Sequence, residues 1–189
     1  METKSIMIVG VGGQGTLLTS RILGGVITEA GYDVKLSEVH GMAQRGGSVV
    51  TFVRYGEKVY EPIVEEGCAD VPIAFERLEA LRYAHFLKKD GVLIVNDQRI
   101  DPMTVLTGAA EYPEGIIENL KNKYQVIDID AMAEAKKLGN ARVFNTIIVG
   151  IAAKHMDFAK EEWIKVIEKT VPAKTVDINK AAFEAGYNL

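Results

Sequence analysis

A glycine-rich turn, Gly10-Val11-Gly12-Gly13-Gln14-Gly15, stands between an apolar run, Lys4 to Val9, and a segment from Thr16 to Ala30 with Leu18, Ile22, Val26 and Ala30 at helical spacing. No other feature restricts the fold as much, because G-x-G-x-x-G closing a strand and opening a helix marks the first crossover of an α/β sheet. The first glycine permits the tight turn, the second admits a phosphate close to the backbone, and the third lets helix and strand pack. The N–H groups at the helix start, backed by about half a positive charge from the macrodipole, suit an anion. The same glycines equally serve a tight turn held against a neighbouring chain, and the pattern alone does not choose.

Gly31 ends the helix, and Asp33 to Val39 (DVKLSEV) alternates apolar with polar, which predicts a second strand and completes one βαβ unit. After a loop from His40 to Gly47, the β-rich stretch Ser48 to Tyr55 and the pair Val59-Tyr60, separated by Glu57-Lys58, read as an inserted hairpin. Strands follow at Asp70 to Phe75, Gly91 to Val95 and Gln125 to Ile129, with a helix over Glu76 to Leu87. Helices then fill Asp130 to Leu138, Val143 to Met156, Phe158 to Val171 and Thr175 to Ala185. Runs such as IMIV and VLIV predict strands buried on both faces, as parallel sheets covered by helices require. The expected fold is α/β and Rossmann-like: a mostly parallel sheet flanked by helices, with an inserted β-hairpin and a helical C-terminal third. One domain over residues 1–189 is the expectation at this length.

Gly24-Gly25 inside the first predicted helix costs about 1 kcal/mol per residue relative to alanine, so something must approach that helix closely. Packing on the sheet or on a partner subunit is the expected reason.

Composition narrows the function. With 22 Lys+Arg against 26 Asp+Glu, the net charge of −4 excludes a basic nucleic-acid binder. Only one cysteine, Cys68, and three histidines, His40, His85 and His155, are present. An iron–sulfur cluster needs about four thiolates, a structural zinc four Cys or His ligands, and a disulfide two cysteines, so none is expected here. Cys68 has no histidine near it in sequence and reads as a buried or loop thiol, and His85 and His155 read as structural residues on helices. The apolar stretch Ile6 to Val9 is too short for a signal segment, and nowhere do about 18 apolar residues run together, which predicts a cytoplasmic protein without membrane contact.

Two further features bear on ligands. Glu38 follows Gly15 by 23 residues, close to the spacing of roughly 20 at which a dinucleotide domain places an acid on ribose hydroxyls. A solvated carboxylate accounts for it equally. The second tract, Ser37-Glu38-Val39-His40-Gly41-Met42-Ala43-Gln44-Arg45-Gly46-Gly47-Ser48, stands where an ordinary dinucleotide domain would go on to its next helix. Its glycines and Arg45 suit a loop presenting N–H groups and a cation to an anion or a neighbouring chain. A local ion pair for Arg45 remains the alternative.

Together GVGGQG, HGMAQRGGSVVTFVR, EPIVEEGCADVPIAFERLEALR and GVLIVND resemble the gamma domain of the 2-oxoacid:ferredoxin oxidoreductases, from about Lys4 through Asn145 to Gly150. The HGMAQRGG form is similar to the beta subunit of the indolepyruvate branch. The resemblance implies a complex that uses thiamine diphosphate and iron–sulfur clusters to convert a 2-oxoacid, here an arylpyruvate, to an acyl-coenzyme A, with ferredoxin as acceptor. It implies that the thiamine and cluster sites lie on a large partner subunit, and that this chain holds no cofactor alone and docks or contacts coenzyme A. By that resemblance Gly10, Gly12, Gly13, Gln14 and Gly15 match one family motif and Arg45, Gly46, Gly47 and Ser48 the other. The isolated chain is expected to be inactive and to self-associate through its docking surface. A free-standing NAD- or FAD-binding module using the glycine turn and Glu38 is the alternative.

Overall fold

The computed structural model describes residues 2–41 and 46–189. The order of elements is β1 (Lys4–Val11), α1 (Thr16–Glu29), β2 (Asp33–His40), β3 (Ser48–Gly56), β4 (Val71–Ala74), α2 (Arg77–Tyr83), β5 (Leu93–Asn96), α3 (Met103–Leu106), α4 (Ile116–Lys121), β6 (Val126–Ile129), α5 (Ala131–Lys137), α6 (Phe144–Ala153), α7 (Lys160–Thr170) and α8 (Val176–Tyr187). The strands form one sheet in the order β2-β3-β1-β4-β5-β6. The pairings β1–β4, β4–β5 and β5–β6 are parallel, whereas β3 runs antiparallel to both neighbours.

Strand alternation builds two cores. Ile6 and Ile8 of β1 face a large cluster with Ile22 and Val26 of α1, Ile147 and Ile148 of α6, Trp163 of α7 and Phe183 of α8. Met7 and Val9 face the other way, onto Ala80 of α2 and Ile116, Ile117 and Leu120 of α4. Burial on both faces explains the uninterrupted apolar run.

The predicted α/β sheet with flanking helices is present, but the hairpin is built differently. Ser48 to Tyr55 pairs with β2 and β1, not with Val59-Tyr60. Val59 is instead tucked in by an N–H bond to the Asp33 carboxylate (3.0 Å), and Tyr60 is exposed. β3 is therefore slotted between β1 and β2, which splits the expected βαβ unit. The reason is chemical: the Ser48–Gly56 strand has apolar residues for both faces and needs two neighbours, while a two-residue partner ending in an exposed tyrosine offers neither length nor burial.

The paired glycines of α1 are explained by two close approaches. A Cβ on Gly24 would lie 3.0 Å from Leu36 of β2, and one on Gly25 2.7 Å from Val166 of α7. α1 is thus clamped between the sheet and α7, and both neighbours belong to this chain. The remaining predicted helices appear with shifted ends, and α3 and α4, both under seven residues, were not anticipated.

Candidate functional site

The glycine turn splits its roles between two directions. Gly13 and Gly15 have φ of +102° and +87°, conformations that L side chains rarely adopt, and Gly15 is the residue before α1. A Cβ on Gly15 would also fall 2.5 Å from Nδ2 of Asn145, at the start of α6, whereas Gly13 has nothing within 4 Å. Gly10 is hemmed in by Gln14 and Phe75, each 3.0 Å from a Cβ placed there.

Gln14 turns inward, away from solvent. Its Oε1 accepts the Val11 N–H (2.7 Å), and its Nε2 donates to the Phe75 carbonyl (2.7 Å) and to Gln98 Oε1 (3.0 Å). Fully buried Asn96 donates to the same Phe75 carbonyl (3.0 Å) and accepts the Ala131 N–H opening α5 (3.1 Å). α1 covers one face of the sheet and α2 the other, so the crossover changes sides between β1 and β4. An open α/β sheet presents its ligand crevice at such a point. Here amide side chains fill it.

On the other side of β1 the two glycine tracts meet. The Gly12 N–H donates to the Gly47 carbonyl (2.9 Å). Between them opens a cleft of about 470 Å³ lined by Gly12, Gly13, Gly15, Thr16, Leu17, Glu38, His40 and Val49. At the start of α1 the Leu18 and Thr19 N–H groups donate to the Gly15 carbonyl (3.1 Å each), while Thr16 and Leu17, whose N–H groups precede the first helical bond, line this cleft. Glu38 is exposed and touches the hydroxyl of buried Thr51 (3.4 Å). His40 is exposed at the end of β2, its Nδ1 3.3 Å from the Gly41 carbonyl. A shallower apolar extension lined by Leu17, Ser20, Arg21 and Leu36 adjoins it through Leu17 and Glu38.

Of the residues singled out in the sequence, Gly12, Gly13, Gly15 and Glu38 line the cleft. Gly47 braces it, Gly46 takes a left-handed turn (φ +77°), and Gly10 and Gln14 face the filled crevice. Ser48 points to the opposite face of the sheet, where its hydroxyl donates to Glu79 (2.5 Å). Arg45 lies outside the described residues. Cys68 is an exposed loop thiol, and His85 and His155 are exposed, His155 just beyond the end of α6. Local desolvation, and after it the charge of Lys154, lower the pKa of His155.

Sequence reasoning missed a charged pocket of about 350 Å³ beside β5 and β6, because its residues are scattered and carry no motif. Every cation in it is matched: Arg77 bonds Asp97, Lys121 lies 2.5 Å from Asp128, and Arg99 pairs with Asp101 (2.6 Å) while stacking on Tyr112 at 4.3 Å. The Tyr112 hydroxyl donates to buried Glu76 (2.5 Å), and burial pushes its pKa up. These are structural ties. Among the described residues no group of three or more His, Cys, Asp or Glu could hold a metal ion, so the residues present do not fit an iron–sulfur cluster.

The family model for pyruvate ferredoxin/flavodoxin oxidoreductase matches residues 5–189. This chain belongs to that family. It is similar to the indolepyruvate oxidoreductase subunits IorB of Archaeoglobus fulgidus (44% identical; 97% of this chain, 94% of the relative) and Thermococcus kodakarensis (42%; 98% and 95%). Its fold is similar to the gamma subunit of a keto/oxoacid ferredoxin oxidoreductase from Geobacter sulfurreducens, with a TM-score of 0.73 at 24% identity, covering 98% of this chain and 96% of that one. A 2-oxoglutarate:ferredoxin oxidoreductase from Magnetococcus marinus contains the same fold within a longer chain (TM-score 0.74, 18% identity, 100% and 31% covered). The chain is thus an oxidoreductase subunit, and the free-standing dinucleotide module is not favoured.

Proposed function

We propose that this chain, as one gamma-type domain over residues 1–189, is the accessory subunit of a cytoplasmic indolepyruvate or arylpyruvate ferredoxin oxidoreductase. The observation that carries the reading is identity of up to 44% with IorB subunits over nearly their whole length. Thiamine diphosphate and iron–sulfur clusters belong, in this reading, to a large partner subunit; together they supply decarboxylation of the 2-oxoacid and a path for its electrons. The overall reaction balances as one 2-oxoacid anion and one coenzyme A thiol giving one acyl-coenzyme A, one carbon dioxide and one proton, with two electrons passed to ferredoxin.

This chain's own task is to bind and to dock. The cleft framed by Gly12, Gly13 and Gly15 and braced by Gly47 suits a phosphate of coenzyme A, with Arg45 supplying the cation and the start of α1 the N–H groups. Docking has surfaces to use: β2 is an eight-residue edge strand carrying Leu36 at 44% and Val39 at 53% exposure on opposite faces. An unpaired edge flanked by exposed apolar side chains favours association, with the large subunit in the complex and with a second copy when the chain is isolated.

The test is co-expression with a cysteine-rich, thiamine-dependent large subunit from the same source, followed by purification and arylpyruvate oxidation assayed with coenzyme A and ferredoxin. Joint purification and full activity only with both chains is the expected result. Full activity of the large chain alone would overturn the reading.

A further inference from the structure

The second glycine tract reaches the cleft from one face of the sheet but is anchored from the other. Ser48 opens β3 opposite Val11 of β1, and its hydroxyl crosses to the α2 face, donating to Glu79 Oε2 at 2.5 Å. Glu79 is only 4% exposed and has its other oxygen occupied by Arg82 at 3.2 Å. One residue earlier, the Gly47 carbonyl holds the N–H of Gly12 at 2.9 Å, and one residue later Val49 lines the cleft. Nothing from α2 lines the cleft itself.

We infer that Glu79 is a positioning residue: through Ser48 it fixes Gly47, and through Gly47 it sets the glycine turn at the spacing the cleft requires. A buried carboxylate is costly unless its oxygens are hydrogen-bonded. A leucine or alanine would suit the apolar surroundings of α2 at lower cost, so what the carboxylate contributes there is its two hydrogen bonds, to Ser48 and to Arg82. Burial pushes the Glu79 carboxyl upward, and the Ser48 hydroxyl and Arg82 pull it back down. The α2 sequence supplies the geometry. Glu76 caps the helix, its carboxylate accepting the N–H groups of Leu78 (2.6 Å) and Glu79 (3.0 Å), which fixes Glu79 in the first turn and directs it at β3.

This inference rests on the coenzyme A reading of the cleft for its functional meaning but not for its test. In the full chain, hydrogen exchange of the Gly12 amide is followed by NMR in the wild type, Ser48→Ala, Glu79→Ala and Glu79→Gln. Ser48→Ala and Glu79→Ala are expected to speed Gly12 exchange by about ten-fold or more while leaving Ile94 and Ile127 amides in the parallel half within about three-fold of wild type. Glu79→Gln keeps an acceptor for Ser48 and is expected to restore most of the Gly12 protection. Coenzyme A titrations on the same samples should show affinity falling in the same order.

Unchanged Gly12 protection in Ser48→Ala and Glu79→Ala overturns the inference. So does a loss of protection that spreads equally to Ile94 and Ile127, since that reports only lower overall stability. Selective loss at Gly12 in a wild-type background that binds no coenzyme A upholds the positioning role and removes the ligand reading instead.

Discussion

The crevice at the ends of β1, β4 and β5 and the cleft between α1 and the β2–β3 hairpin lie on either side of one glycine turn, and they have opposite characters. In the crevice, the Gln14 and Asn96 amides converge on shared acceptors, the Phe75 carbonyl and Gln98 Oε1, and occupy the point where a ligand would enter. In the cleft, the same turn presents only backbone, because its glycines have no side chains to fill the space. A G-x-G-x-x-G sequence thus does not determine which side of its strand becomes the binding site. The residue between the glycines does, and here glutamine closes the side a dinucleotide domain would use.

Three substitutions test that division by stability. Gln14→Ala should have the largest effect, about 2–4 kcal/mol, because it orphans the buried Val11 N–H and leaves a void. Urea unfolding with an unchanged slope would register it, and a loss below about 1 kcal/mol would mean the crevice is wet rather than plugged. Gly15→Ala should cost about 2–3 kcal/mol, combining left-handed strain with the 2.5 Å approach to Asn145. Gly13→Ala carries the strain alone, about 1–2 kcal/mol, since the space around it is open. Equal costs at the two glycines would show that Asn145 yields freely.

The cleft side is better probed by affinity. Glu38→Gln should leave stability within about 0.5 kcal/mol, since the residue is exposed, and should tighten a phosphate ligand about two- to five-fold by removing a like charge. Loss of binding would instead mark Glu38 as a ribose acceptor and revive the dinucleotide geometry.

Much of this was legible in the sequence. The strand–glycine–helix opening, the α/β rhythm and the helical C-terminal third follow from periodicity, and Gly24-Gly25 correctly signalled close packing. The partner of β3 was not legible, because pairing between β1 and β3 is a long-range choice and Val59-Tyr60 looked like the nearest strand. Nor could the orientation of Gln14 be read, since the motif treats that position as free, while its amide is consumed by Phe75 and Gln98, over 60 residues away. Glu79 carried no pattern of its own. Its partner Ser48 stood inside the second tract, and only the fold brings the two together. The charged pocket beside β5 was missed for the same reason.

The most direct test of the account is an amide-resolved NMR titration of the full chain with coenzyme A, run beside NAD. The account predicts that coenzyme A shifts the amides of Gly12, Gly13, Gly15, Thr16, Leu17 and Val49, leaves Asn96, Gln98 and Ala131 unmoved, and that NAD shifts neither set. Shifts concentrated at Asn96, Gln98 and Ala131, with the cleft silent, would contradict it.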